Sequence, residues 1–87
     1  MPRAKKHSKR DRFDHATKTI EDSIAELEEL KEEYDTWRDG LSGTNLEYTM
    51  LAESLDTVID VLGIGIDELQ AGLETAQTAT LPKAFGS

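Results

Sequence analysis

The stretch Asp39-Gly40-Leu41-Ser42-Gly43-Thr44-Asn45-Leu46-Glu47 decides how this chain folds. Asp-Gly and Ser-Gly are turn steps, and Gly40 suits the left-handed position that closes a helix. Thr44 and Glu47 stand three apart, the spacing of a capping box in which the threonine hydroxyl accepts from the backbone near the glutamate. A helix that ends and another that begins within so few residues must double back on each other. The stretch therefore predicts an antiparallel helical hairpin with its tip here.

Upstream, apolar residues recur on a heptad. Phe13, Ile20, Leu27, Tyr34 and Leu41 fall seven apart at position a, with Ala16, Ser23, Leu30 and Trp37 three later at position d, and Ile24 widens the stripe. That period belongs to a helix packed on a helix. Ser8 or Asp11 is placed to cap its start. Downstream, Tyr48, Leu55, Leu62, Leu69 and Ala76 repeat position a, Leu51 and Val58 follow at d, and Ala52, Ile59, Ile66 and Leu73 flank them. The d row then passes into Gly65 and Gly72. A glycine inside a helix costs about 0.8–1 kcal/mol relative to alanine, so Gly63, Gly65 and Gly72 need a reason. Either another backbone approaches closely, or the helix breaks there and residues 66–79 form a separate short helix. A continuous helix is favoured, with a kink or third short helix after Gly63–Gly65 as the alternative.

The fold class read from these patterns is all-α, an antiparallel two-helix hairpin of coiled-coil type. A basic arm covers residues 1–10, helices run over about 11–41 and 44–79, and a tail of residues 80–87 follows, where Pro82 stops a helix. The expected seam takes Phe13, Ile20, Ile24, Leu27, Leu30, Tyr34 and Trp37 from the first helix. From the second it takes Leu51, Leu55, Val58, Ile59, Leu62, Ile66, Leu69 and Leu73. With Ile24, Ile59, Val61, Ile66 and Leu73 lying beyond the strict seam, each helix offers more apolar surface than one partner helix covers. That excess predicts a homo-oligomeric bundle, or a complex with another protein. Leu81 and Phe85 are candidate anchors in the tail.

The net charge of −8 conceals a division. Residues 1–20 sum to +5 and residues 21–87 to −13. The arm carries Arg3, Lys5, Lys6, Lys9 and Arg10, enough for loose nucleic-acid binding through counterion release. No aromatic is interleaved before Phe13 to stack on bases, so an ordinary solvated arm is the favoured reading. Glu21, Asp22, Glu28, Glu29, Glu32 and Glu33 form an acidic face. Such a run is ordinarily a solvated helix surface; a nucleic-acid mimic that inhibits a host protein is the alternative.

His7, Asp11 and His15 share a helix face, but the cations around them oppose a metal, and zinc requires three or four preorganised ligands. The chain has no cysteine, hence neither a disulfide nor a thiolate ligand. It carries no nucleophile elbow, phosphate-binding loop, dinucleotide fingerprint or His-Glu-x-x-His motif, and a slim hairpin lacks a concave pocket. These features predict a chain that is not an enzyme, with no catalytic residue, metal or cofactor. No run approaches the roughly 20 apolar residues that span a bilayer, and no signal-like apolar segment follows the basic arm. A cytoplasmic protein with no membrane partner is expected.

The stretch from Leu27 to Glu47, with its acidic helix, its Trp37-Arg38-Asp39 step and its Thr44-Asn45-Leu46-Glu47 opening, is similar to a pattern in small phage-encoded helical hairpin proteins. The tail Leu81-Pro82-Lys83-Ala84-Phe85-Gly86 resembles their Leu-Pro-x-Gly-Phe-Gly ending, with Ala84 in place of glycine. The functions of that group are mostly unassigned. The resemblance implies an accessory or structural protein made in the cytoplasm of an infected bacterium.

Overall fold

The computed structural model describes residues 8–46 and 48–82. Within them the chain forms two helices, α1 (Lys9–Leu41) and α2 (Met50–Gln77), with no strand. They pack side by side along their length as the expected all-α hairpin.

Helix α1 begins where a hydroxyl can serve its free amides. Ser8 is extended, and its Oγ accepts from the Asp11 N–H at 3.1 Å. Lys9 and Arg10 therefore belong to the helix rather than to the arm. Arg3, Lys5, Lys6 and His7 lie outside the described residues, as does Phe85. The α1 helix runs through Gly40 and ends at Leu41. It is Gly43, with φ 79°, that takes the left-handed conformation expected of Gly40.

The second helix starts six residues later than the Thr44 expected to cap it. The Thr44 hydroxyl is drawn into the turn instead, donating to the Leu41 carbonyl at 2.6 Å and accepting from the Leu46 N–H at 3.1 Å. Threonine makes such local turns as readily as it caps helices. Thr49 is the cap, accepting from the Ala52 N–H at 3.4 Å. Starting at Met50 sets Ala52 and Leu55 beneath Leu41, where with Tyr34 they close the tip end of the core. The α2 helix then continues unbroken past Gly63 and Gly65 to Gln77, so no third helix forms, and it stops two residues short of the expected end.

The seam does not follow the a and d rows. In both helices it uses a together with the next position, e. From α1 it takes Phe13, Leu27, Tyr34 and Leu41 with Thr17, Ile24, Lys31 and Arg38. From α2 it takes Leu55 and Leu62 with Ala52, Ile59, Ile66 and Leu73. Of the residues thought to exceed one partner's cover, Ile24, Ile59, Ile66 and Leu73 are the ones α2 and α1 shelter from each other. The cause lies in the d row, which toward the open end holds only Ser23, Ala16, Gly65 and Gly72. Rotating onto e buries Ile24, Ile66 and Leu73 in one cluster, flanked by Leu27 and Leu62. Fully burying such a side chain contributes about 1.5–3 kcal/mol, which a glycine row cannot match.

That rotation brings two cations into the seam. Lys31 lays its stem across α2 at Gly63, where an added Cβ would come within 3.3 Å of Lys31 Cε, while its Nζ reaches Asp35 at 3.4 Å. Gly63 is thus approached by a side chain and not by a backbone. Gly65 and Gly72 face open space.

Candidate interaction surface

The two broad faces of the hairpin differ in chemistry because the seam divides them. On one, polar side chains bridge the helices. Arg38 Nε donates to Asp56 Oδ1 at 2.8 Å, Gln70 Nε2 to Glu28 Oε2 at 3.0 Å, and Gln77 Nε2 to Glu21 Oε2 at 3.0 Å. Glu28, Lys31, Glu32, Asp67 and Gln70 line an open trough of about 540 Å³ there. Two carboxylates of the expected acidic face, Glu21 and Glu28, are therefore engaged in holding the hairpin. Asp22 pairs with Lys18 Nζ at 3.1 Å, and that hydrogen bond and charge raise the lysine's pKa. Glu29, Glu32 and Glu33 remain exposed.

These bridges come from rows on the same flank of the seam in each helix, so the d rows, on the other flank of both, share the opposite face. There the side chains are apolar and unsheltered. Trp37 is 49% exposed, Leu30 40%, Leu69 44% and Val61 60%. Leu51 and Ile20 are exposed beside them, and Val58 is half-buried. Trp37 stacks on Tyr34 with ring centroids 6.1 Å apart. Tyr34 faces the core while Trp37 lies over it, and the pair with Leu30 and Glu33 forms a notch of about 340 Å³. Of the fifteen residues expected in one seam, Ile20, Leu30, Trp37, Leu51 and Leu69 thus form this second surface. For Leu30, Trp37 and Leu51 the choice of e over d, invisible in the periodicity alone, is what separates them from the core, while Ile20 and Leu69, on the a rows, stand exposed at its margin.

Other expected features sort quickly. Leu81, a candidate tail anchor, is half-buried. Among the described residues Tyr48 and Met50 are the most exposed large apolar side chains, at the tip. Among the described residues no group of three or more His, Asp or Glu is arranged to hold a metal, and no helix is long and apolar enough to cross a membrane. A comparison with protein-family models, curated proteins and solved structures finds no match to this chain.

Proposed function

We propose that this is a non-enzymatic interaction protein of the cytoplasm that works by self-association, leaving its tip free for a second protein. The observation that carries the reading is the one-sided apolar face. Trp37, Leu30, Leu51, Leu69, Val61 and Ile20 are all exposed on it, and an apolar patch gathered on one side marks an interaction site. A stable domain ordinarily packs two layers of structure around its core, and a single hairpin is one layer. The principal extents of 65 × 32 × 15 Å describe such a sheet of two helices. A second layer on the apolar face completes the arrangement, as two hairpins do in a four-helix bundle.

Sedimentation velocity over a concentration series tests this. A dimer or larger species at tens of micromolar is expected. Leu30→Asp should return it to monomer with its helical circular dichroism retained, because Leu30 faces away from the seam. A wild-type chain that sediments as a monomer throughout removes the proposal.

A further inference from the structure

We infer that the second copy seats antiparallel on this face, so that the two hairpin tips lie at opposite ends of the bundle. The inference rests on the self-association reading and specifies its geometry.

The register of the hairpin fixes which residues stand level. Lys31 meets Gly63 and Arg38 meets Asp56 across the seam. The d residues of the apolar face therefore pair off as Trp37 with Val58, Leu30 with Gly65, and Ser23 with Gly72. Along the d rows side-chain volume falls steadily from the tip toward the open end, where Ile20 and Leu69 of the a rows border the face. A two-fold pair can be stacked in two ways. With tips together, one layer receives two Trp37 and two Val58 side chains, while another has only Ser23 and Gly72 of each copy at its d positions, with Ile20 and Leu69 at the margin. One layer is overfilled and the other hollow at its d positions, against the near-crystalline density of protein interiors. With tips apart, Trp37 and Val58 of one copy lie over Ser23 and Gly72 of the other, and Leu30 and Gly65 of both share the middle layer. Every layer then holds two large and two small side chains at its d positions.

The apolar side chains agree with this occupant. A specific interface buries about 800 Å² per partner, and in homodimers about 65% of that is apolar. The face offers six exposed large apolar side chains, Trp37, Leu30, Leu51, Leu69, Val61 and Ile20, to build such a core. Glu26 and Glu33 line its edge and face each other across the antiparallel pair, an exposed repulsion that salt screens.

Two measurements on the whole chain decide it. Because the chain has no cysteine, Ser42→Cys at the exposed turn gives one nitroxide site per copy. Ser42 lies twelve residues beyond the Leu30 layer, so antiparallel seating separates two labels by about 36 Å along the bundle, and tips-together seating leaves them within about 20 Å. Gly72→Leu distinguishes the arrangements by sign. Opposite a copy's Val58 and Trp37 it should weaken association at least tenfold, and adding Trp37→Ala should restore it. In the tips-together bundle the same leucine fills the hollow layer and tightens association. Short label distances, or a tighter Gly72→Leu dimer, overturn the antiparallel seating while leaving self-association standing. A wild-type monomer at every concentration overturns self-association itself.

Discussion

Replacing Ile24 and Leu30 by alanine, one at a time, separates the two surfaces of α1. The two side chains lie six residues apart on one helix and lose similar volume on truncation. Ile24 is 5% exposed and sits in the cluster with Ile66 and Leu73. Truncating a buried isoleucine removes its transfer free energy and leaves a cavity, together about 2–5 kcal/mol. A chain this small draws about 3–5 kcal/mol from its core, so Ile24→Ala removes most of the margin. Leu30 is far more open, and the shelter it has comes partly from its own helix. Its truncation forfeits only a fraction of the 1.5–3 kcal/mol of a full burial, about 1 kcal/mol. Urea denaturation followed by circular dichroism reads both, at protein concentrations low enough that association contributes nothing. The expected result is a folded Leu30→Ala and a largely unfolded Ile24→Ala. Equal losses, or a larger loss at Leu30, would refute a seam built on the a and e rows and restore the a and d rows in its place.

Two further outcomes follow from the same geometry. Gly65→Ala should stabilise the dilute hairpin by about 0.8–1 kcal/mol in urea titration, since its new methyl meets open space, and Gly63→Ala should gain less because Lys31 must yield. Thr49→Ala should cost about 1 kcal/mol and speed hydrogen exchange at the Ala52 amide, whereas Thr44→Ala should leave that amide's exchange rate unchanged.

The hairpin itself was legible because three signals agreed: period, turn residues and the length of each apolar run. Its details were harder where two physical preferences compete at one residue type. Thr44 and Thr49 are both threonines before an apolar run, and nothing local says which hydroxyl turns the chain and which caps the helix. The decision comes from packing, since a start at Met50 delivers Ala52 and Leu55 to Leu41. The exposed apolar face was half legible. The excess of apolar residues was plain, but its location required comparing whole rows. Row d fades into Ser23, Gly65 and Gly72, and row e carries Ile24, Ile66 and Leu73 along with Lys31 and Arg38. Two cations in a row argue against burial unless their heads can reach a carboxylate, as Lys31 does at Asp35 and Arg38 at Asp56.

The Lys31 stem that crosses at Gly63 also divides the oily interior into two compartments, and these are not equally easy to shut. Leu41 and Ala52 are about eleven residues apart along the chain; Ile24 and Leu73 are about forty-nine. Closing the longer loop from scratch costs about 1.3 kcal/mol more in chain entropy than closing the shorter one. The molecule therefore fastens from its turn outward, like a clasp pinned at one end. The far compartment closes last and parts first, and it carries the same glycine-lined stretch on which the Trp37 of another copy would rest.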